Sequence, residues 1–188
     1  MRNWLRAAAA IDAAVEAVAA LVQWSLLANA LLIAGNAVSR KLFSATAPVI
    51  YDLQWHFLAA VVLLMAAYTL KRNEHVRVDV LAERLGERGM AWLDLIGILL
   101  VLLPLCVAMV WVTTPPLLHS IAARETRASR ESLSDLPVWI INGFIPVGFL
   151  LLALEGIAEA IRCVACLRGI IRRPVHRRQL IDSAQREA

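Results

Sequence analysis

Catalysis and ligand binding need side chains that donate, accept or share electron pairs, so the titratable residues come first. Four histidines are scattered at 56, 75, 119 and 176. Their spacing fits no single metal or nucleophile constellation, and there is no Gly-rich phosphate loop and no HExxH helix. Two cysteines, Cys163 and Cys166, form C-V-A-C, and a third stands alone at 106. With no second CxxC and no neighbouring His cluster, they read as thiols inside apolar helix ends rather than a redox pair or metal site. The acids Glu155 and Glu159 lie one helical turn apart, with Arg162 three residues beyond. An acid within an apolar run is a candidate ion or proton site. The blander reading, favoured here, is an ion pair of Glu159 with Arg162 at a membrane interface. The sequence thus predicts no catalytic residue, no metal and no cofactor, and the chain is read as a non-enzyme. A heme-bearing or anchoring subunit of a membrane redox complex is the alternative. It would need two histidines at matched depth, and only His56 falls within a predicted span.

The surroundings of these residues are membrane-like. The chain has 188 residues, 60% of them hydrophobic, with mean hydropathy +0.67, against ~45–50% apolar in soluble domains. The apolar residues fall in long runs between short charged segments, the pattern of an all-α membrane protein with four transmembrane helices. The spans are predicted at about 15–38, 53–70, 95–113 and 138–154, the last with room to continue to Cys166. Polar Gln23, Asn29 and Asn36 in span one are expected to face another helix. Residues 48–52 read as a turn, with Asp52 and Asp94 at the interface. Pro104 should kink span three and Pro115-Pro116 should end it. Pro137 fits the first turn of span four, Asp135 its cap, and Pro146 should bend it. Between spans two and three, Val78, Leu81, Ala82 and Leu85 recur on one face of a helix over about 76–88. They predict a short interfacial amphipathic helix.

Basic residues set orientation. The net charge is +4, and 14 of 19 Lys and Arg fall on the side of the two termini and of the 71–88 connection. By the positive-inside rule both termini, including a basic tail at 162–188, are predicted cytoplasmic. That tail is read as contacting anionic membrane lipids, not nucleic acid.

Several short motifs, in order, resemble one family. Leu70 to Leu81 contains His75-Val76-Arg77-Val78-Asp79-Val80 after span two. Asn36 and Arg40 close span one as N-x-x-x-R, and Trp55 sits early in span two. Glu131-Ser132 precedes Leu136-Pro137-Val138-Trp139 and then Ile145-Pro146-Val147-Gly148-Phe149. This order over roughly residues 15–165 resembles the small integral-membrane, DctQ-like subunit of tripartite ATP-independent periplasmic (TRAP) transporters. Ser134-Asp135 stands where the family often has Gly-Gly, and Glu155 where it often has Gln. The resemblance implies a multi-pass protein of the bacterial inner membrane. It implies two partners, a large permease subunit holding the sodium and solute sites, and a periplasmic solute-binding protein. It implies sodium-driven import of an organic acid. Asn36, Arg40, Trp55, His75, Arg77, Asp79, Glu131, Ser132, Pro137, Trp139 and Pro146 are then the family-motif and assembly candidates. Arg124, Arg127 and Arg130 are candidates for docking the receptor.

Overall fold

The computed structural model describes residues 2–43, 48–72, 79–126 and 136–170, and of residues 2, 3, 48 and 79–87 the backbone alone. The described fold is helical. In chain order the helices are α1 (Arg2–Phe43), α2 (Pro48–Lys71), α3 (Asp79–Gly97), a π-helical segment (Ile98–Leu102), α4 (Leu103–Ala122) and α5 (Val138–Leu167). The stretch from α3 through α4 is one uninterrupted helical rod. Among the described residues, four helices are long and apolar enough to cross a membrane: Trp4–Phe43, Val49–Lys71, Arg88–Ala122 and Val138–Leu167. The chain is therefore a multi-pass membrane protein.

The four-span plan agrees with the sequence, and several boundaries change. α1 begins well before the predicted Val15, because Ala7–Ala10 and the residues after them are good helix formers. Residues 48–52 are helical rather than a turn, with Pro48 as the first residue of α2, where a missing N–H costs nothing. Residues 79–88 are helical, as the periodicity predicts. They are not a separate helix, however, since α3 runs without a break toward span three. Pro115 and Pro116 do not end α4 but lie inside it. Pro is tolerated inside spanning helices. The carbonyls freed by the two prolines are those of Trp111 and Val112; the Thr113 and Thr114 hydroxyls donate to the carbonyls of Met109 and Val110, both at 2.6 Å, and do not reach the freed pair. Pro104 carries its disturbance one turn earlier. The Leu103 N–H bonds the carbonyl of Ile98, five residues back, and closes the π segment. Pro137 stands one position outside the first turn of α5, as an extended residue capping it. Asp135 lies outside the described residues.

The ends of α4 and α5 each use a left-handed residue. After α5, Gly169 (φ 72°) lets its N–H bond the carbonyl of Cys166 and that of Ile170 bond Ala165, a glycine-terminated helix end. After α4 the same two-bond pattern forms around Arg124, at φ 46°. Its N–H reaches Ile121, and that of Glu125 reaches Ser120.

The packing is inverted relative to a water-soluble protein. Leu31, Leu100 and Trp111 are exposed, while Asn29, Asn36, Asp52, His56, Glu155 and Glu159 are buried. Helices in lipid associate through close contact of small residues and shared polar groups. Ala8, Ala19, Ala60, Ala67, Ala91 and Ala158 are accordingly buried. α5 is central: it packs on α1, α2, α3 and α4. Its crossing with α2 is tightest at Gly148, where a Cβ would lie 2.8 Å from the carbonyl oxygen of Leu63. Leu95, Ile98 and Cys163 form a small core where the α3 rod meets α5.

A buried ion-pair cluster as the candidate functional site

Residues 155, 159 and 162 recur at i, i+4 and i+7, so α5 carries Glu155, Glu159 and Arg162 on one face. Asp12 and Glu16, at i and i+4, share a face of α1. Antiparallel packing of α1 on α5 brings the two faces together at the end where α1 begins and α5 stops. The Arg162 guanidinium makes four hydrogen bonds there. Its Nε donates to Glu159 Oε2 at 2.7 Å and its Nη2 to Glu155 Oε1 at 2.7 Å. Its Nη1 donates to both carboxylate oxygens of Asp12, at 2.7 and 2.9 Å. Only Arg has the planar, forked donor set for three carboxylates at once. α2 joins through Lys71, whose Nζ pairs with Glu16 at 2.7 Å and donates to the Asp12 carbonyl at 3.0 Å.

Exposure grades these contacts. The Glu155 side chain is wholly buried and that of Glu159 is 6% exposed, whereas Glu16 is 63% exposed. Among the described residues, four carboxylates of the cluster face two cations, and Glu155 Oε2 has no partner. The cluster holds no nucleophile activated by a base. Its evident work is mechanical: it ties the ends of α1, α2 and α5 together. The expected Glu159–Arg162 pair is present, but within a larger network. Arg162 belongs to α5 rather than to a tail. Asp12 gives no local signal in the sequence, because its partner lies 150 residues away.

The family-motif residues form no comparable polar centre among the described residues. Asn36 is buried and its Oδ1 is unpartnered. Arg40 and Trp55 are exposed, as is Trp139 near the start of α5. Pro146 is buried inside α5, which continues through it. Pro137 bridges to Thr126, and the Val138 N–H bonds the Glu125 carbonyl at 3.0 Å, closing the 126–136 excursion at its base. Arg124 is exposed at that base. Asp79 is the first residue of α3, with its side chain outside the described residues. His75, Arg77, Arg127, Arg130, Glu131 and Ser132 also lie outside them.

Of the span-one polar residues, Asn29 and Asn36 do face inward, whereas Gln23 is exposed. Asp52, expected at the interface, is buried. His56 is buried, and its Nδ1 donates to the carbonyl of Asp52 at 2.7 Å. His119, by contrast, is 75% exposed near the end of α4, 3.4 Å from Glu125. Cys106, Cys163 and Cys166 are buried, and none of them forms a disulfide.

No curated protein and no solved structure matches the chain. A family model does, that of the tripartite ATP-independent periplasmic transporters, DctQ component, over residues 29–166. With that match covering most of its length, and four spanning helices built around α5, the chain belongs to the DctQ component family of TRAP transporters.

Proposed function

We propose that this chain is the small permease subunit that scaffolds the large permease in the bacterial inner membrane and helps to dock the periplasmic receptor. The system then imports an organic acid with sodium. The observation that carries the scaffold role is the Arg162 cluster, which braces three helix ends while leaving a long apolar exterior for lipid and a partner. The sodium and solute sites then belong to the large subunit. Both termini face the cytoplasm, which the basic-residue distribution supports. Residues 79–88 lie at the cytoplasmic interface before the rod enters the membrane, with His75, Arg77 and Asp79 orienting that entry. Segments 39–52 and 114–137 face the periplasm, and Arg124, Arg127 and Arg130 steer an acidic face of the receptor.

Reconstitution tests this reading. Vesicles holding the large subunit, this chain and the receptor should take up an organic acid on an inward sodium gradient, and vesicles lacking this chain should not. Full uptake without this chain would sink the scaffold role. Reversing the three arginine charges should weaken receptor binding in a salt-dependent way. Unchanged affinity and uptake would remove the docking role and leave the scaffold role standing.

A further inference from the structure

A groove of about 560 Å³ opens beside the ion-pair cluster, between the start of α1, the α3–α4 rod and α5. One wall is Leu95, Leu99 and Leu103, one turn apart along the rod. The opposite wall is Ile157, Ile161 and Val164 on α5. At the mouth stand Trp4 and Arg168. Arg168 is the charged residue of this lining, it is exposed, and no carboxylate pairs with it among the described residues. The neighbouring cations Lys71 and Arg162 are both paired. From Ile157 to Arg168 the wall rises roughly 16 Å at 1.5 Å per residue. That is about half of a hydrocarbon core of ~30 Å, the depth of one leaflet. The apolar floor therefore ends near the bilayer midplane when Arg168 and Trp4 lie at headgroup level, where both residue types settle.

We propose that this groove is a binding site for one anionic phospholipid of the leaflet on the side of the termini. An acyl chain lies between the rod and α5, and the phosphate sits on the Arg168 guanidinium. The occupant is identified by complementarity: an apolar channel one leaflet deep, with a cation at its lip that no carboxylate among the described residues compensates. The groove of about 500 Å³ between α4 and α5, around Cys106 and Leu150, has no charged residue in its lining and serves as the internal contrast. Sequence places Arg172, Arg173, Arg177 and Arg178 within ten residues of Arg168, which adds to the local attraction for anionic lipid. The inference rests on the membrane-spanning reading and not on the transport one.

The test is lipid retention by the full chain, purified in mild detergent, stripped of lipid, and titrated with palmitoyl-oleoyl phosphatidylglycerol or the matching phosphatidylcholine. Bound lipid is counted by native mass spectrometry. Phosphatidylglycerol should bind about tenfold tighter than phosphatidylcholine, and Arg168→Gln should erase about that tenfold preference. Ala160→Phe, which fills the groove, should lower occupancy by both lipids, and Arg6→Gln at the same end should leave it unchanged. Glycerol phosphate without acyl chains should not compete. Equal binding of the two lipids, or Arg168→Gln behaving as the parent, overturns the proposal. So does Ala160→Phe abolishing association with the large subunit while lipid occupancy stays intact, because the groove then seats a protein helix. Arg168 is exposed, so its variant reports even where the groove-filling one does not fold. Loss of uptake in a transport assay changes none of these readouts.

Discussion

Replacing Arg162 by Gln should be the most damaging single substitution at the helix ends that the ion-pair cluster ties together. The guanidinium makes four hydrogen bonds to three carboxylates. A Gln side chain reaches one of them at most. Left behind are Glu155 with a fully buried side chain and Glu159 with one 6% exposed, one turn apart and both negative. Breaking a buried pair by removing one partner costs about 3–5 kcal/mol. Water can reach part of this site, since Arg162 and Asp12 are 23% and 26% exposed, so the lower end, about 3 kcal/mol, applies. At about 2–4 °C per kcal/mol for a chain of this size, the melting temperature in detergent should fall by about 6–12 °C. Arg162→Lys should fall between, because an ammonium keeps the charge but cannot serve three acceptors in the guanidinium plane. A double-mutant cycle isolates the pairing. Asp12→Asn should cost less in the Arg162→Gln background than in the parent, by about 1 kcal/mol or more. Glu155→Gln should recover part of the Arg162→Gln loss by removing a stranded charge. A melting temperature within about 2 °C of the parent, well below the shift expected from a broken buried pair, or strictly additive Arg162 and Asp12 substitutions, would refute the idea that this cluster braces the bundle.

The other predictions are read by the same melting assay or by partner capture. Gly148→Ala would press against the Leu63 backbone, and such overpacking should cost about 1–3 kcal/mol. Gly35→Ala, with open space around it, should be neutral or stabilising. Lys71→Ala should cost about 1 kcal/mol at most, because its partner Glu16 is 63% exposed. Arg124→Gly should stabilise by about 1 kcal/mol, since Gly adopts φ 46° without the penalty an L side chain meets. If Arg124 also steers the receptor, that variant melts higher and binds the receptor more weakly, a combination that loss of folding cannot mimic. Asp79→Ala should lower co-purification with the large subunit, and unchanged recovery would remove Asp79 from the assembly role.

Which parts of this can be read in the sequence follows from the range of the interactions. The four spans are legible because hydropathy is a local sum that survives errors at the ends. The ends themselves depend on partners. Asp12 lies outside any apolar run, so hydropathy places it outside span one. It is held in α1 by an arginine contributed from the far end of the chain. The two prolines at 115 and 116 carry a strong local stop signal. The helix nonetheless continues through them to Ala122, which a local stop signal cannot foretell. The Glu159–Arg162 pair is visible as an i, i+3 spacing, yet that spacing shows only one of the four acceptor oxygens that Arg162 uses. In water such an arginine would gain little from three carboxylates. In a membrane the alternative to mutual satisfaction is a bare charge in low dielectric, so polar residues collect where helices meet. That physics explains why the chain buries its acids and exposes its leucines. It also makes Arg168 informative: beside a cluster in which Lys71 and Arg162 are both matched, a cation with no carboxylate partner among the described residues is where we place an anion from outside the chain.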